Sequence, residues 1–327
     1  MMKRALTAFL LLTIALQAES RPIKLGTIAP RDSSYHKILL RMGESWRASG
    51  VELKIYPGGF LGGEAEMVRR MKTGALDAAM LTVAGLSEID DSVRALQNMP
   101  LLFRSLDEVD YIGVKLRPRL EKSLRARGFV VLFWGDAGWV RFFSKNPVLT
   151  PDDLRRTKLF TWAGDPDAVA LYRSEGFHPL PLETNDIVTS LQTGLINAVP
   201  MPPYIALATQ VYPLAPHMLE INWAPLCGAL VVTEQAWDRL PSVQQAALAR
   251  AAAQSGQEIQ RRNRQESDEA VSAMKKRGLI VHPMTPELDA LWRRETEAIY
   301  PRLRGRLVPA DLFDEVRRLL EERRTQR

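Results

Sequence analysis

The sequence predicts an α/β chain folded as two similar lobes, with a ligand cleft between them and a long bracing helix towards the C-terminal end. Three observations carry this. From Ile23 onward short β-like segments alternate with amphipathic helices, the pattern of a mostly parallel sheet covered by helices. Val68, Met71, Thr73, Gly74, Asp77 and Ala78 recur at a constant offset of 120 residues as Val188, Leu191, Thr193, Gly194, Asn197 and Ala198. The segment from Pro241 to Gly278 keeps a helical apolar period through Ala246, Ala247, Leu248, Ala251, Ile259 and Met274.

The elements follow in order. Lys3 and Arg4, the apolar run Ala5 to Leu16 and the small residue Ala18 before Glu19 are laid out as a secretory signal peptide. The run is too short to span a bilayer, and cleavage is expected after Ala18. No cysteine follows it that could carry a lipid. Ile23, Leu25 and Thr27 read as a first strand; Ile38, Met42 and Trp46 mark one face of a helix; Val51, Leu53 and Ile55 return to period two. Each copy of the echo reads as a helix stopped by glycine and followed at once by a buried strand. Phe129 to Trp134 and Gly138 to Ser144 are further strands. At Thr150-Pro151-Asp152-Asp153 a helix starts, with Thr150 as N-cap and Pro151 in the first helical position. Ser255-Gly256 marks a point where the long helix could break.

One echo copy per lobe gives two α/β halves joined by strands, and open α/β sheets bind ligands beyond the carboxyl ends of their strands. The expected division is 1–18 as signal peptide and 19–138 as the first lobe, to which 225–262 return. The second lobe is 139–224, with 263–327 packed on it and across both.

Composition bounds the function. Taking Lys3 and Arg4 from the 44 basic residues leaves 42 against 38 acids, an excess of 4 that is interleaved along helix faces. Nucleic acid would need a denser cluster of one sign. No second apolar stretch is long enough to cross a membrane. Cys227 is the single cysteine, so no intramolecular disulfide can form. The four histidines His36, His178, His217 and His282 match no metal spacing, and neither a nucleophile elbow nor a phosphate loop is present. Gly58-Gly59 and Gly62-Gly63 read as a flexible connection, and Asp90-Asp91 and Asp152-Asp153 as caps. These features point away from an enzyme, and no cofactor is expected.

Several pieces together are similar to one family. They are Ile23-Lys24-Leu25-Gly26, Leu61-Gly62-Gly63-Glu64 leading to Gly74-Ala75-Leu76-Asp77, Gly138-Trp139-Val140-Arg141, Pro151-Asp152-Asp153-Leu154, Leu191-Gln192-Thr193-Gly194, and Trp237 with Leu240-Pro241. In order and spacing, from about Ile23 to about Leu320, the chain resembles the periplasmic solute-binding subunits of TRAP transporters, the DctP-like type. The resemblance implies a periplasmic binding protein fold, a small-molecule ligand, a pair of integral-membrane subunits as partners and room for an additional periplasmic protein.

The resemblance breaks at two places. The family grips a carboxylate with an arginine in a Lys-x-Arg strand, and this chain reads Lys158-Leu159-Phe160. An arginine offers a two-pronged charged fork where phenylalanine offers a ring face. The family's Asp-Gly-Gln-Glu-Asn run stands here as Asn197-Ala198-Val199-Pro200-Met201. Both changes imply a more apolar ligand than a small dicarboxylate. The candidate wall is Phe160, Trp162, Asn197, Val199, Pro200, Met201, Tyr204 and Trp223, with Tyr35, Ser33 and Glu64 from the first lobe. Arg141 is the retained cation, either binding an organic monocarboxylate or closing a structural ion pair. A sensory ligand receptor and a periplasmic enzyme are the other functions this sequence could serve.

Overall fold

The computed structural model describes residues 21–326; the signal-peptide reading lies outside them. The first part of the chain forms β1 (Ile23–Thr27), α1 (Ser34–Ala48), β2 (Leu53–Tyr56), α2 (Glu64–Lys72), β3 (Ala78–Thr82) and α3 (Val83–Ser87). A 3-10 helix (Asp91–Leu96) and α4 (Leu106–Arg125) lead into β4 (Phe129–Ser144). The second part runs through α5 (Pro151–Arg155), β5 (Lys158–Trp162), α6 (Pro166–Ser174) and β6 (His178–Leu182). A second 3-10 helix (Thr184–Asp186), α7 (Ile187–Thr193), β7 (Ala198–Met201), α8 (Pro203–Ala208) and β8 (His217–Thr233) complete it. Then follow α9 (Glu234–Asp238), α10 (Ser242–Lys275), β9 (Ile280–His282), α11 (Pro286–Leu303) and α12 (Ala310–Thr325).

The strands share one sheet in the order β2-β1-β3-β8-β4-β7-β5-β6, with β9 against β8. β1, β2 and β3 are mutually parallel, as are β5, β6 and β7. Between these parallel sets β4 and β8 run antiparallel to each other and to their outer neighbours. Each lobe is therefore a parallel α/β unit, and the two long strands carry the sheet from one to the other. Their pairing slips between Val131 and Phe133, Asp136 and Trp139, and Val140 and Phe142. Such bulges bend a strand and increase its local twist where the lobes meet.

The echo is structural. α2–β3 and α7–β7 are its two copies, and the glycine after each helix has a φ of 73°. In the first, the Asp77 backbone N–H donates to the carbonyl of Lys24 while its side chain accepts from the Lys24 N–H at 3.0 Å. In the second, Asn197 donates to the carbonyl of Lys158 and its Oδ1 accepts from the Lys158 N–H at 2.7 Å. Each side chain thus binds the first residues of the neighbouring parallel strand, and the sheet register of the lobe starts there.

α10 is one unbroken helix of 34 residues. Gly256 is no break; it is where the Phe133 ring packs, since a Cβ there would lie 2.6 Å from the ring. One buried cluster runs from Leu25 and Trp46 through Leu248 and Ile259 of α10 to Phe143, Val199 and Met218, so the helix braces both lobes. The Trp46 indole, wholly buried, donates to the Leu248 carbonyl at 3.3 Å. Each fully buried side chain of this size contributes roughly 1.5–3 kcal/mol. A polar clamp is added where Arg264 binds Asp110 at 2.7 Å and the buried Asp136 at 2.7 Å, and Asn263 donates to the Asp136 carbonyl at 2.8 Å. At α5, Thr150 and Asp153 cap reciprocally with Pro151 in the first turn. No helix among the described residues is long and apolar enough to cross a membrane.

Candidate functional site

A cavity of 410 Å³ lies between the lobes. Its sides are the carboxyl ends of β1 and β3 from the first lobe (Thr27 to Arg31, Met80 to Thr82) and of β5 and β7 from the second (Phe160, Trp162, Pro200 to Pro202). Gly135, Ala137 and Leu226 to Gly228 of β4 and β8 add the shared strands. This is where parallel α/β units place their ligands, because the loops beyond the strand ends are free to vary while the sheet stays fixed.

The lobes are closed over it. Arg94, on the 3-10 helix of the first lobe, forms a two-pronged pair with Asp165, the N-cap of α6 in the second, at 3.0 and 2.9 Å. Both side chains are more than nine-tenths buried. Asn185 donates across the seam to the Gly59 carbonyl at 3.4 Å. A Cβ at Gly63 would lie 1.8 Å from a Glu183 carboxylate oxygen, so that side chain packs directly on the glycine. The glycine pairs expected to be a flexible connection are thus a contact surface for the opposite lobe. The Tyr35 ring of α1 stacks on Tyr204 of α8 with centroids 6.0 Å apart, which ties α1 to α8. Burial pushes both phenols well above the usual tyrosine range, so both stay protonated.

Of the residues singled out from sequence, Tyr35, Phe160, Trp162, Pro200, Met201 and Tyr204 stand in the cavity wall. The others are elsewhere, each for a local reason. Ser33 caps α1, accepting from the His36 N–H and donating to the Pro30 carbonyl. Asn197 holds the start of β5, and Val199, one position from the wall residue Pro200, is wholly buried in the core. Trp223 faces a second cavity. Glu64 lies just behind the wall, where its carboxylate accepts from the Thr82 N–H and hydroxyl, both at 2.6 Å. Burial raises its pKa to about 7 in spite of those two bonds. Arg141 lies at the last slip between β4 and β8, where the extra residues are on β8, and stands 3.6 Å from Glu220. Burial lowers its pKa, Glu220 opposes that shift, and its Nε has no hydrogen-bond partner among the described residues.

The sequence reading missed Arg31, Thr82, Thr184 and Asn185, all in the wall. A signal for one of them existed: extending the echo backwards sets Thr184 opposite Glu64, and of the two Thr184 reaches the wall while Glu64 stays just behind it. Among the described residues Arg31 is the one charged side chain of the wall, and it is exposed at the mouth. Cys227 also reaches the wall, but burial holds its thiol well above the usual range, so it is a poor nucleophile. The wall is otherwise dominated by Ile28, Met80, Leu81, Phe160, Ile187, Met201, Ile205 and Leu226, a surface for apolar contact with a few hydroxyl and amide groups. Two of the four histidines, His217 and His282, do meet at 3.0 Å on the β8–β9 edge, away from this cavity. Among the described residues no group of three or more potential ligating side chains could hold a metal ion.

A model of the bacterial extracellular solute-binding protein family 7, DctP, matches residues 25–305. The C4-dicarboxylate-binding periplasmic protein DctP of Rhodobacter capsulatus is 22% identical over 303 residues, covering 91% of both chains. The 2,3-diketo-L-gulonate-binding periplasmic protein YiaO of Escherichia coli K12 is 25% identical over 236 residues, 71% of this chain and 70% of that one. Among solved structures, the sugar acid binding protein DctPAm of Advenella mimigardefordensis in complex with galactonate superposes with a TM-score of 0.86. It is 17% identical and covers 93% of this chain and 99% of that one. A TRAP periplasmic solute binding protein of Ralstonia eutropha with bound (S)-2-acetolactate gives 0.85 at 18% identity, over 92% and 99%. The chain belongs to the extracellular solute-binding protein family 7 and has its two-lobed fold.

Proposed function

We propose that this family member captures, outside the cytoplasm, a small organic ligand with a largely apolar body, and delivers it to the integral-membrane subunits of a TRAP-type transporter. Lobe closure is the mechanism. A ligand that contacts both lobes only when they are shut stabilises the shut form by that difference in affinity, and the shut form is what the membrane subunits recognise. The observation that carries the reading is the wall itself. Phe160, 1% exposed, occupies the strand position where the resemblance implies a carboxylate-gripping arginine, and it lines the cavity together with Trp162, Pro200 and Met201.

Relatives named for C4-dicarboxylate, 2,3-diketo-L-gulonate and galactonate support an acid as the ligand. With Arg31 as the wall's charged group, one carboxylate at the mouth can be balanced and a second, deeper one cannot. An apolar monocarboxylate fits both facts. Arg141 is not proposed as its partner, because the side chain stands outside the cavity beside Glu220. Mass spectrometry of the small molecules released when the purified protein is denatured in organic solvent tests this. A compound with an apolar body and at most one carboxylate is expected; a dicarboxylate or a sugar acid would overturn it.

A further inference from the structure

Behind the ligand chamber lies a second cavity of 130 Å³, and Phe160, Trp162 and Pro200 belong to the walls of both. Its far side is closed by Tyr172 of α6, Trp223 of β8 and the C-terminal part of α11. Both spaces are lined mainly by apolar side chains, but the inner one gathers polar atoms that have no partner among the described residues. Four residues of the inner one, Asn98, Thr161, Trp162 and Glu175, each contribute a buried polar atom with no hydrogen-bond partner among the described residues: Oδ1, Oγ1, Nε1 and Oε1 respectively. The Glu175 side chain keeps its other oxygen on Arg302 at 2.6 Å, which leaves Oε1 as an acceptor facing inward. An unpaired buried polar group costs about 1–3 kcal/mol. Native chains seldom gather four such groups around one space without something to bind there.

We propose that this inner cavity is a subsite for the neutral, hydrogen-bonding end of the ligand, a hydroxyl or primary amide whose apolar body fills the outer chamber. It rests on the proposed function above. The chemistry follows from the atoms. Asn98 Oδ1 and Glu175 Oε1 accept, the indole N–H of Trp162 donates, and the Thr161 hydroxyl does either. A group that both donates and accepts satisfies them, whereas a carboxylate would set another anion into a wall that already carries Glu175 and Asp165. The cavity is also well above the space one water needs, so a group of several heavy atoms fits. Phe160 and Trp162, edge to face with centroids 5.3 Å apart, form the partition past which the chain of the ligand runs. An arginine at position 160 would set a cation in that partition.

The test uses pairs of straight-chain monocarboxylates of about four to ten carbons, each with and without a terminal hydroxyl, titrated calorimetrically against the intact protein and against Thr161→Val. At the chain length that spans the partition, the hydroxylated acid should bind about ten- to a hundredfold tighter than its parent in the wild type. Thr161→Val should reduce that preference at least severalfold while leaving the melting temperature of the free protein unchanged or higher, because it removes a hydroxyl that has no partner in the fold. Binding of the parent acids with no hydroxyl preference, or a preference that Thr161→Val does not alter, would mean a space that holds only water. The subsite would then fall and the apolar outer chamber would stand. Failure of every acid to bind would overturn both readings.

Discussion

The two echo units are the same framework put to different ends. In both, a helix stops at glycine, and the side chain three residues further on accepts a backbone N–H from the adjacent parallel strand: Asp77 from Lys24, Asn197 from Lys158. Beyond those anchors the strands part. β1 continues Leu25-Gly26-Thr27 and β5 continues Leu159-Phe160-Thr161-Trp162, so the first lobe brings a lean strand to the cleft and the second brings an aromatic one. Repetition in this chain therefore marks what builds a lobe, and divergence between the copies marks what lines the cavity between them.

The largest effect should come from the contact between the lobes. Arg94→Met leaves Asp165 charged and buried with no cation, which costs about 3–5 kcal/mol. Loss falls on the closed form, so small-angle scattering should show a more extended molecule and ligand affinity should drop, while Arg94→Met combined with Asp165→Leu should recover part of the compactness. A variant that stays compact and binds unchanged would show that the pair does not hold the lobes together.

Next come the anchors themselves. Asp77 also receives Arg239 at 3.0 Å, whereas Asn197 is neutral. Urea unfolding should report a loss of roughly 1.5–3 kcal/mol for Asp77→Ala and about 1 kcal/mol for Asn197→Ala. Neither should shift ligand affinity by more than about twofold, since stability changes away from the site leave binding contacts in place. A large affinity loss in Asn197→Ala with stability intact would make it a ligand residue and break the comparison.

The smaller effect concerns Glu64, at the position where the other copy has Thr184. Its folded pKa of about 7 lies above the ordinary carboxylate value of 4.5. The folded state thus binds the extra proton between those limits, and Glu64's contribution to stability, full below pH 4.5, is lost as pH rises through 7. Wild type should lose at most about 3 kcal/mol relative to Glu64→Gln over that window. Parallel pH–stability curves for the two proteins would contradict the buried-carboxylate account.

Much of the framework was legible because it rests on local chemistry. The face of α1, the Thr150 cap and the echo all follow from spacing. Two things were not. Gly256 reads as a helix breaker until Phe133, far away in sequence, is seen to fill its place. Arg141 reads as a cleft residue from its motif, yet the slip in pairing between Val140 and Phe142 puts extra residues of β8, Glu220 among them, opposite it and sets it beside that carboxylate. Bulges carry no sequence signature strong enough to predict which face a side chain takes. Asn197 resembled a ligand group because an amide is equally suited to a solute and to a strand N–H; its partner Asp77 was the clue. The cavity wall was legible at Phe160, which the sequence reading set beside the cleft, and hidden where the wall comes from loops such as Thr184-Asn185.

The most direct test of an apolar chamber set by Phe160 is a calorimetric comparison of hexanoate and succinate against the wild type and Phe160→Arg. The wild type should prefer hexanoate, and Phe160→Arg should reverse that preference by losing about tenfold or more in hexanoate affinity, the cost of setting an unpaired cation against an apolar chain. A wild type that binds succinate more tightly than hexanoate would contradict the account, and would place the protein's grip on carboxylates in residues other than Phe160 and its neighbours.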